Sequence, residues 1–203
     1  MNPLNTIKGT LIAGFVISIV IAAIPLQITG VGGHGAMIIW LHVLAGITWI
    51  GLLYYFNFVQ VPALAEAAAD EGGPGGAGIS KYVAPKALVW FRWGAVATWL
   101  TGASYLMVNG DLIGAFTLGA VPGSGDPVYQ LTIGIGAWFG TIMLFNVWVL
   151  IWPNQKKVLG MVEASADEVA KAKNIAFLAS RSNTLMSIPM VMSMVGAGHG
   201  WFM

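Results

Sequence analysis

The 203-residue chain contains no cysteine and very little charge. The first absence excludes disulfides, thiolate metal sites and the C-x-x-C-H attachment of a c-type haem, so any bound metal or haem must rest on His, Met or oxygen ligands. The second removes the chain from the ordinary soluble class: Asp, Glu, Lys and Arg make up 8 % of its residues, against about 25 % in soluble domains. No basic cluster with interleaved aromatics occurs, which excludes nucleic acid as a partner. Nucleophilic triads, phosphate loops and paired carboxylates are missing as well.

What fills the chain instead is apolar: 57 % of the residues are hydrophobic and the mean hydropathy is +0.78. The expected fold is an all-α integral membrane protein whose main partner is the lipid bilayer. Apolar runs predict five transmembrane helices, at about 8–29, 36–62, 85–109, 130–152 and 183–203, within one membrane domain spanning 1–203. Pro25 is expected to kink the first of them, and Gly30, Gly32 and Gly33 to make a tight reversal before the second. Pro62 and Pro153 are read as helix ends. The glycine-rich segment around 72–78 is a loop, and 110–129 is a Gly/Pro-rich connection whose apolar middle is expected on the membrane surface. A polar helix at about 165–180 is announced by Ser165 and Glu168 in capping-box spacing.

Charge then orients the chain. Lys8, Lys81, Lys86, Arg92, Lys156, Lys157, Lys171, Lys173 and Arg181 all fall on or beside the side that carries the N-terminus. The positive-inside rule makes that side cytoplasmic and the C-terminus periplasmic.

A repeat lies inside the spans. The pattern W-x-G-x-x-x-x-F-N occurs as Trp49, Gly51, Phe56, Asn57 and again as Trp138, Gly140, Phe145, Asn146, each pair 89 residues apart. The same offset maps Arg92 onto Arg181, Ala87 onto Ala176 and Ser104 onto Ser193 without a gap. The expected architecture is a four-helix core of two parallel helix-pair repeats, with the first helix peripheral. Gly136, Ala137 and Gly140 would allow close approach of a helix or a cofactor.

The histidines are not repeated: His42 and His199 pair with Leu131 and Gly110 at that offset. Counted along their helices from the cytoplasmic side, each lies roughly 27 Å up, and His34 stands on the same side. Two imidazoles on separate helices of an apolar bundle suit axial ligation of a b-type haem. His42 is the first ligand, His199 the second and His34 the alternative; Gly46, Trp49, Gly198 and Trp201 could line the slot. Copper held by the three histidines with methionine is the less favoured choice, and unrelated hydrogen-bonded histidines are the bland one. Arg92 and Arg181 are candidates for holding an anionic substrate, or else snorkel to lipid phosphate. Asn57 and Asn146 are further candidates, with interhelical hydrogen bonding as the simpler role.

The stretches WLHVLAGITWIGLLYYFNFVQVPAL, KALVWFRWGAVATWLTG, NVWVLIWPNQKKVLG and SRSNTLMSIPMVMSM, with His199 after them, resemble the membrane domain of the bacterial membrane-bound urate oxidase (urate hydroxylase) family. The H-x6-W-x-G core around His42 is also similar to that of the HemJ-type protoporphyrinogen oxidases and CopD-type copper proteins, which points to haem before copper. The resemblance implies a multi-pass protein of the bacterial inner membrane that oxidises urate to 5-hydroxyisourate and passes electrons to a respiratory chain. The family's usual C-terminal cytochrome c domain, with its C-x-x-C-H, is not among these 203 residues, so a separate cytochrome c or a larger membrane complex is the expected partner. A non-catalytic haem-binding or structural subunit of a respiratory or photosynthetic complex is the alternative.

Overall fold

A computed structural model describes residues 2–29 and 33–200. The described residues form helices and no strand: α1 (Ile7–Thr29), α2 (His34–Ala69), α3 (Ala84–Val108), α4 (Leu112–Phe116), α5 (Pro127–Val158) and α6 (Ala166–His199). Two of them, α2 and α5, are long and apolar enough to cross a membrane, and α1 holds a shorter apolar stretch, Ile7–Ala23. The reversal expected at Gly30 and Gly32 and the slot residue Trp201 lie outside the described residues.

The chain divides into two compact units, 1–36 and 37–203. In the first, Asn2 caps a short 3-10 turn by accepting from the Leu4 amide at 2.9 Å, and α1 follows after Thr6, whose hydroxyl accepts from the Gly9 amide at 3.0 Å. α1 runs through Pro25 to Thr29 and is predominantly apolar.

The second unit is built on α2, α3, α5 and α6. Contacts run in opposite directions along each neighbouring pair. Ring contacts and hydrogen bonds join Phe56 to Phe91, Trp93 to Trp148, Trp99 to Thr141, Asn146 to Asn183 and Tyr54 to Ser187. Each helix is therefore antiparallel to its neighbours around a closed ring. At one end the ring is solid: Trp49, Leu53 and Phe56 from α2 meet Leu88 and Phe91 from α3, Met143, Val147 and Ile151 from α5 and Ala179 and Met190 from α6. Toward the other end the inward positions become small, with Gly46, Gly102, Ala103, Ala137, Ala197 and Gly198, and the helices enclose a cavity.

Three helical stretches contain a π-turn, and each stands just before a proline. Phe56–Gln60 precedes Pro62, Ile79–Val83 precedes Pro85, and Asn146–Ile151 precedes Pro153. A proline ring collides with the carbonyl four residues earlier and brings no N–H of its own. Widening the turn to i→i+5 bonding, as in Val61 N–H to Phe56 O, moves that carbonyl aside. The helices therefore continue through Pro62 to Ala69 and through Pro153 to Val158 instead of ending there.

α6 is likewise longer than the sequence suggested: the polar helix at 165–180 and the apolar run from 183 are one helix of 34 residues. Its start is the expected capping box, with Ser165 Oγ accepting from the Glu168 amide and Glu168 accepting from the Ser165 amide at 2.9 Å. Its end is closed by Gly200 at φ 71°, whose N–H reaches the Gly196 carbonyl, so His199 sits on a capped turn.

The 110–129 connection folds onto the bundle. Asp111 is buried, and its Oδ1 accepts from the Gly125 amide at 2.6 Å and from Gln130 Nε2 at 3.2 Å. α4 lies so close to α5 that a side chain at Gly134 would strike the Ala115 carbonyl. Trp138 Nε1 donates to the Phe116 carbonyl at 3.1 Å and pins the same segment from α5.

Candidate functional site

The cavity holds about 710 Å³ and is lined from α2, α3, α5 and α6, with Phe116 of α4 added. Ligand sites in proteins occupy roughly 300–1,000 Å³. Its wall is apolar and aromatic, and the residues on it with polar groups are few: His42, His199, Thr98, the tyrosines Tyr54, Tyr105 and Tyr129, and the indoles of Trp49 and Trp99.

His42 is half-buried, and its Nδ1 lies 2.8 Å from the Thr98 carbonyl on α3. A carbonyl oxygen can only accept, so Nδ1 carries the proton and donates. Nε2 of the neutral ring is then left with its lone pair. This contact needs the backbone of α3 within reach, and Gly102 supplies the room: a Cβ there would stand 2.8 Å from His42 Cε1 and 3.0 Å from Nδ1. His199 repeats the arrangement on α6 with a local partner, its Nδ1 donating to the Val195 carbonyl at 2.9 Å. Both imidazoles thus line one cavity with Nδ1 engaged and Nε2 free. Fixing one ring nitrogen by a carbonyl is how proteins orient a ligating histidine.

The other sequence candidates lie elsewhere. His34 is the first residue of α2, exposed, and belongs to the unit 1–36, whereas His42 and His199 belong to the second unit. Asn57 is buried and donates to the Leu53 carbonyl and to Ser180 Oγ, both at 2.8 Å. Asn146 donates to Asn183 Oδ1 at 2.8 Å, and Asn183 Nδ2 donates to the Met143 carbonyl at 3.0 Å. These two asparagines tie α6 to α2 and α5. Arg92 packs its guanidinium 3.5 Å from the centre of the Trp152 ring, and Arg181 lies 5.2 Å from that of Phe177, one turn away on its own helix. None of the four lines the cavity.

Sequence reasoning missed Thr98, Gly102 and the tyrosines. The Thr98 contribution is a main-chain carbonyl, which leaves no trace in residue type. Gly102 could have been found, because a glycine stands inside a helical run at the level of His42. Gly136 and Gly140 do admit a close neighbour, α6: added Cβ atoms would meet Met194 at 3.0 Å and Met190 Sδ at 3.8 Å.

Fold and site together define an all-helical protein with a ligand cavity set between four antiparallel helices. The chain belongs to the urate oxidase N-terminal family, whose model matches residues 34–112 and 129–203. Every cavity residue except Phe116 falls within those two stretches. No curated protein and no solved structure matches the chain.

Proposed function

We propose that the chain is a membrane redox protein that oxidises urate to 5-hydroxyisourate, with a b-type haem in the cavity relaying the electrons to a cytochrome c or the respiratory chain. The observation that carries this reading is the pair of histidines on one cavity wall, each with Nδ1 donated to a carbonyl and Nε2 free. Membership of the urate oxidase N-terminal family supports urate as the substrate.

The residues suit a porphyrin by their chemistry. His42 and His199 would hold the iron through Nε2, the small residues Gly46, Ala103 and Ala137 leave room for a flat ring, and Trp49 and Phe116 offer it aromatic surface. Haem bound there supplies a one-electron relay. The chain's own part is to hold each imidazole at a set angle through Thr98 and Val195, and to keep the relay away from water with an apolar wall. Urate oxidation adds the oxygen of one water and releases two protons and two electrons.

In the same reading α1, α2, α3, α5 and α6 cross the membrane, with the N-terminus cytoplasmic and the C-terminus periplasmic. The one-sided Lys and Arg distribution supports this orientation. The two helix pairs are parallel repeats, an idea supported by the π-turns that begin at Phe56 and Asn146, around the repeated asparagine.

The optical spectrum of the purified protein, followed by urate-dependent reduction of added cytochrome c, tests the proposal. The expected result is a Soret band that is lost in His42→Ala, together with urate-driven cytochrome reduction. A missing Soret band overturns the haem, and a Soret band without urate-dependent reduction overturns the enzyme in favour of a non-catalytic subunit.

A further inference from the structure

A second feature lies on the outer surface of the bundle, apart from the histidine cavity. Between α3 and α5 runs an apolar groove of about 400 Å³, lined by Val96, Trp99, Thr141, Leu144, Phe145 and Trp148. Trp93 closes edge-on against Trp148 at 5.4 Å between ring centres. Arg92 stands one helical turn from Val96, and Trp152 one turn from Trp148, so the contact of Arg92 with Trp152 at 3.5 Å marks the end of the groove. Lys156, a turn further on α5, brings its ammonium to 5.8 Å from the centre of the same ring.

Two cations therefore share one indole at the mouth of an apolar channel. Neither is neutralised: the ion pair among the described residues is Lys157 with Glu168. Arg92 Nη1 is also buried and has no hydrogen-bond acceptor. A guanidinium without an acceptor, beside an ammonium, calls for an anionic oxygen ligand. The apolar groove leading away from the pair calls for hydrocarbon.

We propose that this is a binding site for an anionic phospholipid, with the phosphate on Arg92 and Lys156 and an acyl chain along the α3–α5 groove. Charge complementarity selects the headgroup, and the groove selects a lipid over free phosphate. The inference rests on the membrane-spanning reading but not on the haem or on urate.

The test uses the full-length protein, extracted from membranes and stripped of lipid in a neutral detergent; extraction that succeeds without detergent would fail the membrane reading separately. Thermal unfolding is followed with added phosphatidylglycerol, phosphatidylcholine or inorganic phosphate, and retained lipid is counted by native mass spectrometry. Phosphatidylglycerol is expected to raise the unfolding temperature and to stay bound, whereas phosphatidylcholine and inorganic phosphate do neither. Arg92→Gln and Lys156→Gln should each weaken phosphatidylglycerol binding about fivefold, the effect of one basic charge at a membrane surface. Arg92→Lys should retain most of the binding, and Lys171→Gln, a control of equal charge change, all of it. Equal stabilisation by phosphatidylcholine overturns the headgroup assignment. Equal stabilisation by inorganic phosphate overturns the groove. Full phosphatidylglycerol binding in the Arg92→Gln/Lys156→Gln double variant overturns the site.

Discussion

The segments 49–57 and 138–146 carry the same W-x-G-x-x-x-x-F-N letters, on helices that point the same way, yet their residues have different work. Trp49 is 1 % exposed and lies between the core and the cavity, whereas Trp138 is 43 % exposed and ties down the 110–129 connection. Asn57 reaches a serine hydroxyl on α6, and Asn146 reaches a buried amide, Asn183, that is itself committed to α5. His42 stands seven residues before the first tryptophan, and Leu131, exposed, seven before the second. The shared asparagine reaches α6 from both helices, and a proline downstream of each motif accompanies the widened turn. The chemistry is added by the residues that differ.

The largest expected effect separates the halves at these last two positions. His42→Ala should remove the haem spectrum, while Leu131→Ala leaves it intact; pigment absorbance per mole of purified protein measures both. Next comes the support of each histidine. Gly102→Ala puts a methyl against the His42 ring, which cannot move without giving up the Thr98 carbonyl, and about a tenfold loss of haem affinity is expected. At Gly198, also on the cavity wall, an added methyl meets no protein atom within 4 Å, so His199 keeps the Val195 carbonyl and a smaller loss is expected; equal effects of the two would remove the distinction between the histidines.

The asparagines differ by less. Asn183→Ala leaves the buried Asn146 Nδ2 without its acceptor and takes from the Met143 carbonyl one of its two donors, the Asn146 N–H remaining, a loss of about 1–2 kcal/mol. Asn57→Ala removes the whole side chain and strands only the Ser180 hydroxyl, which can turn to its own helix, for about 0.5–1 kcal/mol. Thermal unfolding in detergent orders them, and the reverse order would contradict the geometry.

The smallest effect compares the starts of α3 and α6, since α3 begins through a π-turn with no side-chain cap and α6 begins with the capping box. The Ser165 amide, with Lys157 beside it, holds the Glu168 carboxyl below the usual glutamate range. A depressed folded-state value means that the stabilisation is complete above the ordinary value of about 4.3 and fades as the pH falls through the folded-state one. Unfolding temperatures of the native protein and Glu168→Gln should therefore differ at pH 7 and converge at strongly acid pH.

Much of this was legible beforehand. The all-helical class followed from composition, the capping box from Ser165 and Glu168, and the interhelical asparagines from the rarity of amides in apolar runs. His42 and His199 came out as a pair because axial distance along a helix converts directly into depth. The prolines misled, because a rule for straight α-helices ends them at Pro62 and Pro153 and does not foresee a wider turn upstream. The burial of Asp111 beneath the 110–129 connection was hidden for another reason: it depends on Gly125 and Gln130 folding back onto it, contacts that a glycine-rich stretch does not advertise.

The π-turn in α5 has a consequence for the angular phase of that helix. It holds one residue more than the α-turn it replaces, so everything beyond it is rotated by about 100° relative to an unbroken helix. The stripe read upstream through Ile133, Ala137 and Gly140 therefore gives the wrong azimuth for Trp152 and Lys156. One helix carries two faces whose relative angle is set by a single inserted residue. Deleting one residue between Asn146 and Ile151 would swing Trp152 away from Arg92 and leave the cavity wall where it is, so the two ends of α5 can be retuned independently.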